Sequence, residues 1–157
     1  MSGARLAELE HLYRQRFGVF LRVATGILRD EERAFDAVQD GFAAAVRGRR
    51  GFRGESPLEA WVWRLVVNAA LKQRRAERVD AALPSGNGTR PAGEPSDLRS
   101  RIADLPDRQR TVLFLRYFAD LDYAAIGEVL GISPGTVGAT LNAARAALRR
   151  SIEEVPR

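Results

Sequence analysis

The sequence predicts an all-α protein: two small helical domains joined by a flexible linker, the second containing a helix-turn-helix. Three observations predict it. Apolar residues recur at three- and four-residue steps in both halves, the period of a helix buried along one side. The stretch VDAALPSGNGTRPAGEPSD, residues 79–97, holds three prolines, three glycines and few large apolar side chains, which suits a linker. No alternating strand pattern or hairpin turn appears. The expected divisions are residues 1–78, 79–97 and 98–157.

Taken in order, Leu6, Leu9, Tyr13, Phe17, Phe20, Ala24 and Leu28 make the stripe of a first amphipathic helix. Glu31 and Glu32 suit the positive start of a second, which carries Phe35, Val38, Phe42 and Val46 as its inward stripe. Gly48, Gly51 and Gly54 interrupt the pattern. Ser56-Pro57-Leu58-Glu59 then reads as a capping box with proline at the first helical position, opening a third helix through WVWRLVVNAALKQRR. Past the linker, Leu105-Pro106-Asp107 starts a helix with Val112, Leu113, Leu115 and Phe118. Asp122 caps the short helix YAAIGEVL. Gly131-Ile132-Ser133 turns into the last helix, with Ser133 as its cap and Pro134 as its first residue. The spacing of Ile126, Gly127, Leu130, Gly131, Ile132 and Val137 fits a helix-turn-helix. Small Gly127 lets two helices approach, and Gly131 supplies a left-handed turn.

The chemistry of the composition narrows the function. The 157 residues include no cysteine and one histidine, His11, so no thiolate metal site or metal cluster is expected, and a reducing compartment fits. The first residues, MSGARLAELEHLYRQRF, lack a signal-peptide core, and no run of about 18 apolar residues exists to span a membrane. A cytoplasmic protein without membrane insertion is the expectation. No nucleophile–base set or phosphate-binding glycine loop points to an enzyme or a cofactor. A net charge of +5 leans toward a polyanion. That excess sits in the first half: residues 1–78 carry 15 basic and 10 acidic side chains, residues 98–157 nine and seven.

Three patches stand out. Asp36, Gln39 and Asp40 are three or four residues apart and share one helix face, which suits either protein docking or plain solvation. On the third helix, Trp63 and Arg64 read as surface residues, with Asn68, Lys72 and Arg75 farther along, while Trp61 falls on the core stripe. An exposed indole can stack on an unpaired base, an amide can read a base edge, and arginines can hold phosphates. The loop RGRRGFRGES, residues 47–56, adds Arg49, Arg50 and Arg53 among glycines. In the last helix, amides at Gly135 and Thr136 behind Ser133 can meet a phosphate, and Thr136, Thr140 and Asn142 can address base edges. The first cation after Pro134 is Arg145, eleven residues on, followed by Arg149.

DAVQDGF (36–42), FRGESPLEAWVWRLVVN (52–68) with KQRR (72–75), and LPDRQRTVLFLRYFADLDYAAIGEVLGISPGTV (105–137) together resemble a sigma-70 factor of the small extracytoplasmic-function type. The resemblance covers nearly the whole chain outside the linker. It implies that the chain binds core RNA polymerase through Asp36, Gln39 and Asp40. It implies that the first domain reads and melts the −10 promoter element through Arg49, Arg50, Arg53, Trp63, Arg64, Asn68, Lys72 and Arg75. It implies that the second domain reads the −35 element through Ser133, Gly135, Thr136, Thr140, Asn142, Arg145 and Arg149. Promoter DNA, core polymerase and an anti-sigma protein are the implied partners. The chain departs from the family at Gly138 and Thr140, where basic residues are common, and Phe35 stands where an acidic residue is common. The bare last helix leaves a second possibility, a sigma-like module that binds polymerase or an anti-sigma protein without reading promoters.

Overall fold

The computed structural model describes residues 3–81 and 98–153. Helix α1 spans Leu6–Leu28, α2 Glu31–Gly48 and α3 Leu58–Ala81, with a single 3-10 turn at Arg49–Gly51. Helices α4 (Leu98–Ala103), α5 (Asp107–Tyr117), α6 (Tyr123–Leu130) and α7 (Pro134–Glu153) follow. No strand occurs among the described residues. No helix among them is long and apolar enough to cross a membrane. Helix α3 runs three residues into the stretch expected to be linker, and residues 82–97 and 154–157 lie outside the described residues.

Helices α1, α2 and α3 pack mutually as a bundle. Phe20, Val23 and Ile27 of α1 meet Val38 and Phe42 of α2 and Val62 and Val66 of α3 in its buried core. Each such side chain contributes about 1.5–3 kcal/mol by leaving water. Asp30 caps α2, its Oδ1 accepting from the Arg33 amide at 3.1 Å. The capping box expected at α3 is replaced by a tertiary contact. The Glu59 carboxylate accepts instead from Arg16 Nε and Trp63 Nε1, at 3.3 and 3.2 Å. Phe35, expected to point inward, is 45% exposed, because α2 buries Ala34, Ala37, Val38 and Gly41 instead.

In the second half, α7 packs on α5 and α6, with α4 against its far part. Val112, Leu115, Ile126, Val137, Leu141 and Ala144 fill the core. The turn follows the sequence logic. Asp122 Oδ1 accepts from the Ala125 amide at 2.8 Å, and Gly131 takes φ 72°. A Cβ on Gly127 would lie 2.5 Å from the Ile132 carbonyl oxygen, so only glycine admits the α6–α7 turn this tightly.

The two halves also pack on each other, α1 against α5 and α3 against α6, and their apolar cores are continuous. The Phe114 ring lies where a side chain on Gly26 would stand, 2.3 Å from an ideal Cβ. Arg22 sits 5.3 Å over the Phe118 ring, a cation–π contact. Arg16 Nη2 donates to the Ala119 carbonyl at 3.2 Å. At the centre, Arg110 of α5 is 1% exposed and reaches the end of α1.

Candidate nucleic-acid interface

The first patch lies on α2. Asp36 and Asp40 are exposed. Gln39 is half-buried, and its Nε2 donates to the Tyr13 hydroxyl at 2.6 Å, which ties its orientation to α1. Phe35, one turn before Gln39, joins the same face and leans edge-on against Phe17 at 5.8 Å. The face is therefore a pair of carboxylates beside an exposed aromatic, not a purely polar strip.

The second patch corrects the reading of the two tryptophans. Trp63 is fully buried. Its ring stacks on Phe20 with centroids 3.9 Å apart. It has no face left for a base. Trp61, assigned to the core by its spacing, is instead half-buried, with its ring 5.0 Å from Phe52. The cause is the breadth of the buried arc. Helix α3 is covered by α1, α2 and α6 together, so Val62, Trp63, Val66, Val67 and Ala70 are all buried and the exposed side is narrowed and rotated.

Trp61, Phe52, Arg53, Ser56 and Arg64 line an open hollow of about 360 Å³, which Glu128 of α6 borders from the second half. From there Arg64, Asn68, Lys72 and Arg75 run as one exposed row along α3, at steps of four, four and three. The row combines three cations and one amide. It is suited to phosphates with one base-edge contact. Arg50 and Arg53 are exposed in the preceding loop. Arg49 is not equivalent to them: its Nη1 donates to the Val46 carbonyl at 2.6 Å, closing the end of α2. The backbone of this loop is pinned from the N-terminal side, where the Gly3 amide donates to the Phe52 carbonyl and the Ala4 amide to that of Arg49, both at 2.8 Å.

The third patch is α7. Ser133 Oγ accepts from the Thr136 amide at 3.1 Å, and Gly135 and Thr136 are exposed at the helix start. Thr140 is only half-exposed, and its hydroxyl donates to the Thr136 carbonyl at 2.8 Å, so that donor is spent on the helix itself. Asn142 and Arg149 are exposed, as are uncharged Ala139 and Ala143. Gly138 is shielded by Tyr123, whose ring edge is 3.3 Å from the place of a Cβ. Arg145 Nε donates to the Tyr117 hydroxyl at 2.9 Å, and its Nη2 donates to the same oxygen. That hydrogen bond is the main reason the Arg145 pKa lies above its ordinary value. Tyr117 and Trp61 border these patches and were not among the residues expected in them. Tyr117 is 28 positions from its partner on another helix, beyond any periodic signal.

Comparison with known proteins follows the same division. The sigma-70 region 2 family model matches residues 12–79, and the sigma-70 region 4 model matches residues 96–148. The chain is 30% identical over 156 residues to the ECF RNA polymerase sigma factor SigM of Mycobacterium tuberculosis, covering 96% of this chain and 79% of that protein. It is 28% identical over 158 residues to the RNA polymerase sigma factor YlaC of Bacillus subtilis, covering 92% and 91%. Among solved structures, the sigma factor RpoE of Bartonella quintana, in complex with the anti-sigma factor NepR, shares the fold with a TM-score of 0.79 at 19% identity. That match covers 96% of this chain and all of the other. CnrH, in complex with the cytosolic domain of CnrY, matches with a TM-score of 0.73 at 22% identity, covering 98% of this chain and 92% of the other.

Proposed function

Since the chain belongs to the sigma-70 family, in its extracytoplasmic-function branch, and directs RNA polymerase to promoters, we propose a division of that labour among its three patches. Residues 1–78 bind core polymerase and open the −10 element, and residues 98–157 hold the −35 element. Asp36 and Asp40, with Phe35 beside them and Gln39 braced by Tyr13, dock on a basic partner surface. The row Arg64–Asn68–Lys72–Arg75 tracks the phosphates of the opened strand, and the Trp61 hollow receives an unstacked base. Stacking contributes about 1–3 kcal/mol per base, of the same order as the few kcal/mol that extrusion costs. The protein carries out no bond chemistry. It shifts the polymerase–promoter equilibrium toward the open complex.

The observation that carries this reading is the unbroken exposed row on α3 ending at a hollow that holds a half-exposed indole. Run-off transcription with core polymerase and a promoter library tests it. The expected result is promoter-specific transcripts. Polymerase binding without initiation means the chain is an interaction module. Reversing both charges, Asp36→Arg with Asp40→Arg, is expected to weaken polymerase binding at least about 10-fold and leave the helical content unchanged. Unaltered polymerase affinity rejects that face as the dock.

A second reading has one observation in its favour, the uncharged exposed face of α7: Gly135, Ala139, Asn142 and Ala143. In that reading the second half binds protein rather than DNA. The two are separated by Ala139→Arg. If α7 faces duplex, the added cation strengthens −35 binding and steepens its dependence on log salt by about one. An unchanged salt slope supports the protein-binding reading. An anti-sigma protein is the proposed regulator, and RpoE, which shares the fold, was solved with one. The cytoplasm, where polymerase works, is the proposed location.

A further inference from the structure

The Tyr117–Arg145 pair holds a cation in a fixed geometry on the exposed surface of α7. A tyrosine hydroxyl has two acceptor lone pairs and one donor hydrogen. Here Arg145 Nε–H and Nη2–H both end on the Tyr117 oxygen, so both lone pairs are occupied by a cation's donors. Only the phenol O–H remains for another partner, and it is polarised by the charge that its oxygen accepts. The guanidinium carbon also stands 5.6 Å from the centre of the same ring, within cation–π range. Both side chains are exposed, Tyr117 by 55%. Arg16, Arg33, Arg74 and Arg110 each face a carboxylate. Arg145 has no ion pair among the described residues. The arrangement sets an exposed O–H donor beside a guanidinium that Tyr123 also neighbours, and a complementary acceptor is an anion with two adjacent oxygens.

We propose that Tyr117 and Arg145 form a single receptor for one backbone phosphate of the −35 duplex, the phenol O–H donating to one phosphate oxygen and the guanidinium to another. This rests on the reading that α7 faces duplex DNA. The position fits that occupant. Arg145 is eleven residues beyond Pro134, about 16 Å along the helix, whereas the major groove is about 12 Å wide. The pair therefore lies well past the N-terminal residues that meet base edges, where contacts fall to the sugar–phosphate backbone. The receptor also accounts for how a helix with no cation in its first eleven residues keeps its register: its first phosphate hold is this composite point.

The test uses the full chain and a duplex carrying the preferred −35 sequence, with affinity followed by fluorescence anisotropy across a potassium chloride series. Tyr117→Phe keeps the ring and the arginine but removes the hydroxyl. It is expected to weaken binding about fivefold with no change in salt slope, since no charge is lost. Arg145→Ala is expected to weaken it more and to lower the slope by about one. The double variant is expected to bind no worse than Arg145→Ala alone, because the two groups act as a unit. Replacing the contacted phosphate with a neutral methylphosphonate is expected to erase the difference between wild type and Tyr117→Phe, which a purely packing role of the tyrosine would not do. If Arg145→Ala weakens binding but Tyr117→Phe equals wild type, the composite receptor is wrong and Arg145 acts alone. If neither Arg145→Ala nor Ala139→Arg alters affinity or slope, α7 does not face DNA and the reading beneath the proposal fails with it.

Discussion

Replacing Arg110 with alanine is expected to lower the unfolding free energy by about 3–5 kcal/mol, read as a fall in the urea midpoint. The guanidinium is almost fully buried and every edge of it is engaged. Nε donates to the Gly26 carbonyl at 2.8 Å, Nη1 to those of Leu105 and Ala103 at 2.9 and 3.3 Å, and Nη2 to the Ile27 carbonyl at 3.3 Å and Asp107 Oδ1 at 2.8 Å. The need for it arises in α1. That helix ends in a left-handed residue, Arg29 at φ 58°, so its last carbonyls lose their intrahelical partners. Arg110 supplies donors to two of them and places a positive charge at the negative end of the helix dipole. Alanine removes the donors and leaves the carbonyls buried, the costly half of any hydrogen bond. Arg110→Lys keeps the charge but not the planar fork, and an intermediate loss is expected. An alanine variant as stable as the wild type would show that the halves are not joined this way in solution.

Trp63→Ala is expected to cost a similar amount, about 3–5 kcal/mol. It empties the space beside Phe20 and frees the Glu59 carboxylate from its indole partner. Trp61→Ala, by contrast, is expected to leave the urea midpoint within about 1 kcal/mol of wild type while reducing run-off transcription. The two neighbouring tryptophans should thus separate stability from promoter opening. A Trp63→Ala variant that folds normally and fails only in transcription would return Trp63 to the surface and overturn the packing of α3.

Why the sequence placed these two side chains the wrong way round is a matter of how much of a helix is apolar. A single stripe at 3.6-residue spacing identifies the inner face when one neighbour covers it. In α1 and α7 the buried residues Leu9, Phe20 and Leu28, or Val137, Leu141 and Ala144, follow such a stripe because the opposite side of each helix is polar or small. Helix α3 is apolar on both flanks, Trp61, Leu65 and Ala69 on one and Val62, Val66 and Val67 on the other, and hydropathy alone cannot tell which flank turns inward. Phe35 went astray for a related reason: α2 approaches its partners through Ala34, Ala37 and Gly41, which carry little hydropathy signal.

Caps and turns were legible because their chemistry is local. Asp122, Ser133 and Gly131 each act within four residues. The cation row on α3 was legible residue by residue, since Arg64, Asn68, Lys72 and Arg75 keep helical spacing. Helix α4 has only six residues, too few for a period to register. The contacts between the halves were invisible. Arg110 meets Gly26 across 84 positions, and nothing in either segment marks the other.

The chain contains only two tryptophans, and they occupy opposite environments. The indole beside Phe20 emits from a dry, rigid site, while the one near Phe52 emits from the lip of a wet hollow. Intrinsic fluorescence therefore provides two separate optical channels without any attached dye: the short-wavelength component follows the integrity of the bundle, and quenching of the long-wavelength component follows the arrival of a nucleobase.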